Sequence, residues 1–314
     1  MMKFNPNINF MKLGKYVFPI SIFVMLISIL LVFLIKMNLG IDFTSGTRFD
    51  MTLLNDGKYI KIEQIEDAIK KTELKNNFTI KELEAEKTKN AQIFSIISQQ
   101  SFDETNIANT IVAHLKMNPE SYTPNQATTI SPKMGEELVN SAFLSLGIAI
   151  ILILVYITIR FNSFFALSSI LALIHDVSIT IAVFIVFGLE ISLPIIAAFL
   201  TILGYSLNDT IVVFDRIREN LNLSKKNEDV FSITNKSVNQ TLSRTLLTSL
   251  TTLIVLIILY FVGSYLIKLF TFALIIGVII GTYSSIFIAS FSFTILYNKY
   301  SHLLNKPESE ENQS

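Results

Sequence analysis

The chain has 314 residues, 51% hydrophobic and 16% charged, and its 25 basic and 25 acidic side chains give a formal net charge of zero. A soluble protein usually carries about a quarter charged residues, so the composition argues against a wholly soluble fold. No cysteine and only three histidines exclude disulfides, thiolate metal sites and cysteine nucleophiles and argue against a multi-histidine metal centre; no metal, cofactor or nucleic-acid partner is expected.

Lys3, Lys12 and Lys15 precede an apolar run from Tyr16 to Ile35. That order resembles a signal peptide, yet about 20 residues is a full bilayer crossing. Lys36-Met37-Asn38 follows it where a small-residue cleavage site would be needed. Residues 1–37 are therefore read as an N-terminal segment and an uncleaved first span.

Residues 38–137 carry soluble periodicities. Thr47, Phe49, Met51 and Leu53 alternate with Arg48, Asp50 and Thr52, a strand ending at the turn signal Asn55-Asp56-Gly57. Ile62, Ile65 and Ile69 have helical spacing through about residue 73. Two strand-like runs, 77–86 and 91–98, flank a polar turn near Lys87–Asn90. Ser101-Phe102-Asp103-Glu104 reads as a capping box opening a helix to about Lys116. An extended stretch near 122–131 closes a β-α-β-β-α-β order, which is that of a ferredoxin-like α+β domain. It shows no catalytic constellation, so binding or mechanical coupling is its default role.

Five more apolar runs follow, at 138–159, 164–187, 191–214, 242–262 and 269–297. Backbone polar groups find no water in hydrocarbon, so each run must be helical. The expected architecture is a six-transmembrane-helix bundle, with the α+β domain between its first and second helices. Residues 138–298 form the five-helix region, interrupted by a cytoplasmic loop at 215–241 and followed by a polar tail at 299–314. The cations Lys3, Lys12, Lys15, Arg160, Arg216, Arg218, Lys225, Lys226, Lys236, Lys299 and Lys306 fall on one side of six crossings. Short-loop cations mark the cytoplasm, which puts both termini there and the 38–137 domain outside, in the periplasm.

Ionisable groups inside spans are costly and usually mark function. His175 and Asp176 lie near the middle of the third span, Asn208 and Asp209 lie in the fourth, and Arg244 opens the fifth. Asp209 and Arg244 have similar depths, so a salt bridge between them is geometrically possible. As a relay, the pair would let the carboxylate bind and release a proton as its partner moves; as a brace, it would merely join two helices. The residues alone favour neither. For His175 and Asp176 a buried hydrogen-bonded brace is the preferred reading, with Thr180 as an available partner. Asn208 and Thr210 supply further polar support. Gly277 and Gly281, continued by Ser285 and Ala289, form a small-residue packing seam in the sixth span. Ser141, Ser145 and Ala149 do the same in the second.

The stretch Gly204-Tyr205-Ser206-Leu207-Asn208-Asp209-Thr210, continued through Asp215-Arg216-Ile217-Arg218-Glu219-Asn220, closely resembles the fourth-span pattern of the SecF branch of the SecD/SecF translocase family. Gly40-Ile41-Asp42-Phe43-Thr44, His175-Asp176-Val177, Ser243-Arg244-Thr245 and Gly281-Thr282-Tyr283-Ser284-Ser285 resemble its other motifs in the same order. Ser45 departs from the pattern, which has a second glycine before Gly46. The resemblance implies a subunit of the resistance-nodulation-division class in the bacterial inner membrane. It would pair with SecD and associate with SecYEG, SecA and the preprotein, using protons to drive late export. It also implies that Asp209 and Arg244 carry the proton step. Rival readings are a passive scaffold for SecD, a small-molecule exporter of the same superfamily, and an intramembrane aspartyl protease using Asp176 and Asp209. The protease is disfavoured because the two carboxylates sit at different depths and a catalytic dyad must share a proton.

Overall fold

The computed structural model describes residues 8–54, 59–75, 77–86, 91–100, 102–118, 121–224 and 228–304. The turns expected at Asn55-Asp56-Gly57 and Lys87–Asn90, the cap residue Ser101, and Lys3, Lys225, Lys226 and Lys306 lie outside them. The chain divides into two compact units, a helical one and an α/β one.

The helical unit comprises Met1–Asn38, Ser145–Leu189 and Pro194–Ser314. Six helices are long and apolar enough to cross a membrane. They are α1 (Phe10–Leu34), α5 (Pro132–Arg160), α6 (Ser163–Val186), α7 (Leu193–Leu223), α8 (Val230–Val262), and a sixth built of α9 (Tyr265–Ser284), a π-helical segment (Ser285–Ala289) and α10 (Ser290–Leu304). α6, α7 and the sixth span are the most buried, whereas α1, α5 and α8 leave most of their surface outside the chain. Asn9 caps α1 by accepting from the Lys12 amide, so the helix begins before the apolar run does.

The stretch expected as a loop at 215–241 is mostly helix, because α7 runs on to Leu223 and α8 starts at Val230. Its polar residues hide a helical period. Phe214, Ile217 and Asn220 are buried on α7, as are Ile233, Thr234, Ser237, Val238 and Thr241 on α8. The Asn220 side-chain amide donates to Ser237 Oγ at 2.8 Å and to Gln240 at 2.9 Å, tying the two extensions together.

Gly277 and Gly281 on α9 face α7. A β-carbon at Gly277 would collide with Ile202, and one at Gly281 would lie 3.0 Å from Ser206 Cβ. Ser285 is fully buried at the start of the π segment, and its hydroxyl donates to the Thr282 carbonyl at 2.9 Å. On α5, by contrast, Ser141 and Ser145 are exposed and Ala149 is half-buried.

The α/β unit comprises Leu39–Leu144 and Glu190–Leu193. After the short helix α2 (Ile41–Thr44) come β1 (Gly46–Leu54), α3 (Ile62–Ile69), β2 (Thr79–Glu86), β3 (Ala91–Ser98), α4 (Glu104–His114) and β4 (Tyr122–Ile130). The sheet order is β2-β3-β1-β4, with every neighbouring pair antiparallel, the ferredoxin-like arrangement. Alternation puts Phe49, Met51, Leu53, Phe94 and Ile96 on one face, where they pack with Ile65, Ile69, Ile107 and Ile111 of α3 and α4. α4 is capped by Asp103, whose carboxylate accepts from the Thr105 and Asn106 amides.

The other face of the sheet carries charge. Arg48 and Asp50 on β1 and Lys81 on β2 meet there, Arg48 Nε lying 3.0 Å from Asp50, and both cations reach Glu190 at 3.1 Å. Ser45 has φ 58°, the left-handed region, and Gly46 has φ 124°. A side chain at Gly46 would strike the Ser98 carbonyl. A φ in that region suits glycine better than Ser45.

Candidate functional site

The buried face of α7 steps through Ile195, Ile202, Ser206, Asp209, Val213 and Ile217 at helical intervals. Two polar residues therefore interrupt an apolar stripe, and Asp209 is 1% exposed. A charged carboxylate there costs about 3 kcal/mol by insertion scales unless it is compensated.

Two hydroxyls provide the compensation. Ser249 Oγ on α8 donates to Asp209 Oδ2 at 3.2 Å, and Thr282 Oγ1 on α9 reaches the same oxygen at 3.4 Å. The two hydroxyls are 2.7 Å apart. Each also reaches a helix carbonyl one turn back, Ser249 to Thr245 at 2.9 Å and Thr282 to Val278 at 2.7 Å. A hydroxyl has one proton and two acceptor sites. Turned to the carboxylate, that proton stabilises the anion; turned to the helix carbonyl, it frees a lone pair to accept from the protonated acid. The site thus accommodates Asp209 in either state.

Arg244 is not a partner of Asp209 in this conformation. It is exposed, and among the described residues no ion pair joins the two. The reason is rotational. The buried hydroxyl face of α8 is Ser237, Thr241, Thr245 and Ser249, at four-residue spacing. Arg244 lies five residues before Ser249, roughly 140° around the helix and about 7.5 Å along it.

A second carboxylate, from α6, reaches the same two helices α7 and α9. Asp176 on α6 is fully buried and accepts from Ser206 on α7 and from Ser284 on α9 at 2.7 Å, and its Oδ1 lies 2.9 Å from His175 Nδ1. The expected bond from Thr180 goes to the Asp176 backbone carbonyl instead, at 2.8 Å, as a one-turn hydroxyl bond within α6. The His175 ring stacks on Tyr283, which in turn bonds Ser21 of α1. Ser206 precedes Asp209 by three residues and Thr282 precedes Ser284 by two, so the carboxylates are neighbours along the seam. Among the described residues they bond different hydroxyls and not each other. Asn208, expected as polar support, is exposed, because it falls off the buried face; Thr210 is buried. No group of three or more potential metal ligands occurs among the described residues.

Sequence reasoning missed Ser249, Thr282, Ser206 and Ser284. The four-residue hydroxyl spacing on α8 was the signal that would have found the first.

Residues 110–299 match the family model described as protein export membrane protein SecD/SecF, C-terminal, and residues 31–53 match the SecD/SecF GG motif. The protein translocase subunit SecF of Calditerrivibrio nitroreducens is 37% identical over 295 residues, covering 92% of this chain and 94% of that protein. The SecF of Petrotoga mobilis is 38% identical over 290 residues, covering 91% and 94%. Among solved structures, the translocon-associated membrane protein SecDF of Thermus thermophilus is 33% identical with a TM-score of 0.83. That match covers 95% of this chain, which spans 40% of the SecDF chain. A super-membrane-facing form of SecDF gives a TM-score of 0.68 at 32% identity, covering 97% of this chain and 40% of its own.

Proposed function

The chain belongs to the SecD/SecF family of protein-export membrane proteins, on its SecF side, and from that premise we propose that it couples proton movement to preprotein export, with Asp209 as the group that takes and releases the proton. In this reading the chain completes a twelve-span unit with SecD in the bacterial inner membrane, both termini cytoplasmic and residues 38–137 in the periplasm. The unit works beside SecYEG after SecA has begun insertion. The relatives are named as translocase subunits, a transport role rather than an enzymatic one. The dyad contact that a protease needs is not made between Asp176 and Asp209.

The observation that carries the proposal is the pair of hydroxyls around Asp209, each shared with a helix carbonyl. Asp176 has an imidazole and two hydroxyls at shorter range, which suits a brace. Among the described residues Asp209 has two long, shared bonds, which suits a group that changes state. Arg244 takes part by moving: rotation of α8 or a swing of its long side chain brings it towards the deprotonated carboxylate, and protonation lets it go. The π segment that follows Thr282 and Ser284 is an irregularity of the kind frequent at functional sites.

One proton crossing 100 mV supplies about 2.3 kcal/mol, whereas a nearly complete two-state shift takes about 5.5 kcal/mol. A pH gradient or a second proton must therefore contribute. The test is export into inner-membrane vesicles containing Asp209→Asn. Loss of proton-motive-force stimulation with normal assembly supports the relay. Full stimulation would leave the chain a passive scaffold for SecD.

A further inference from the structure

The second half of the connection between α6 and α7 and the first residue of α7, together Glu190–Leu193, belong to the α/β unit although the chain on either side of them belongs to the helical one. A tight connection between two spans is ordinarily exposed. This one is held by three independent sets of contacts.

Glu190 is 2% exposed. Its Oε1 accepts from Arg48 Nη1 and its Oε2 from Lys81 Nζ, both at 3.1 Å, so each carboxylate oxygen has its own cation. Ile191 forms a parallel bridge with Leu39, and its carbonyl accepts from the Gly40 amide at 2.8 Å. The Leu193 amide donates to Asp42 Oδ2 at 2.8 Å, so a carboxylate from α2 caps the N-terminus of α7. Gly40 is what allows the close fit, since a β-carbon there would lie 2.9 Å from Glu190 Oε1 and 3.3 Å from Ser192 Cβ.

We propose that Glu190 is a coupling residue, fastening the α6–α7 connection to β1 and β2 so that displacement of α7 is delivered to the sheet of the α/β unit. α7 is one continuous helix from Leu193 to Leu223. Asp209 lies sixteen residues along it from Leu193, about 24 Å at the helical rise. A tilt or slide produced at Asp209 therefore reaches the fastening along a stiff rod. A buried ion triad differs from a packed apolar joint in that both cations must stay in register with the carboxylate, which transmits lateral as well as axial movement. The source of the displacement rests on the proton reading above; the fastening itself does not.

The experiment uses the full chain coexpressed with its SecD partner, and has three arms. Hydrogen exchange at the Gly40 and Leu193 amides should rise about tenfold in Glu190→Gln, the loss expected when charged hydrogen bonds are weakened. The same variant should lose most of the proton-motive-force stimulation of export while still assembling. The chain contains no cysteine, and paired strands lie about 4.8 Å apart, within the span of a disulfide. Leu39→Cys with Ile191→Cys, added to Glu190→Gln, should therefore restore stimulation when oxidised and lose it again on reduction.

Unchanged exchange in Glu190→Gln overturns the proposal. So does full stimulation in that variant, or no recovery in the oxidised pair. Faster exchange in Glu190→Gln together with full stimulation in Asp209→Asn would separate the two ideas, leaving the fastening in place and removing the proton reading.

Discussion

The Asp209 carboxylate on α7 accepts a hydrogen bond from the Ser249 hydroxyl on α8 at 3.2 Å, while Arg244, five residues earlier on α8, is exposed. The buried acid is thus held by groups that can reverse their hydrogen bonds, and the cation at the opening of the fifth apolar run stands apart. A fixed salt bridge would hold one protonation state; hydroxyls that can turn accommodate both.

Removing Ser249 tests the cage. Ser249→Ala takes away a donor to a buried charged group, an interaction worth roughly 1.5–3 kcal/mol. The potential-dependent rate of export should fall by about tenfold or more, since 1.4 kcal/mol is a factor of ten. Ser249→Thr keeps the hydroxyl and should retain most of the activity. Rates measured against an imposed potential in vesicles decide between them.

Arg244 should separate function from stability. It is exposed in this conformation, and surface substitutions usually change stability by less than about 0.5 kcal/mol. Arg244→Gln should unfold in detergent at nearly the parent temperature yet lose stimulated export. A large drop in melting temperature would mean that Arg244 is a brace.

Gly277 on α9 receives Ile202 of α7 so closely that any side chain must displace it. Gly277→Val overpacks the seam, which costs about 1–3 kcal/mol. It should lower the thermal unfolding midpoint of the purified chain. Gly147, with open space around it, is the control: Gly147→Ala should leave the midpoint unchanged or raise it.

Ser45 occupies a φ of 58°. Such strain costs roughly 1–3 kcal/mol, against about 0.4–1 kcal/mol for the extra chain entropy of glycine. Ser45→Gly should therefore stabilise the α/β unit by about 1 kcal/mol, measured by denaturant unfolding or by exchange of the β1 amides.

The spans and the α/β order were legible because hydropathy and period are local properties. Phe49, Met51 and Leu53 alternate as a half-buried strand must, and they line the core. The helical extensions beyond 214 and before 242 were harder to see, since a few apolar residues such as Ile217 and Val238 sit in a charged stretch. Arg244 drew attention by its charge, while the hydroxyl stripe ending at Ser249 was equally readable and more informative. Glu190 falls in the gap between the runs 164–187 and 191–214, and nothing local marks its role because its cations lie 142 and 109 residues away in the chain. The π segment at Ser285–Ala289 has no local sequence marker, as its register follows from how the sixth span packs.

The most direct measurement is difference infrared spectroscopy of the reconstituted complex, taken as the transmembrane proton gradient is imposed and removed. A carboxylic-acid carbonyl band that appears and disappears with the gradient, and is absent from Asp209→Asn, is the predicted result. A band that persists in Asp209→Asn, or no gradient-dependent band in the parent, would contradict a cycle in which this acid changes its protonation state.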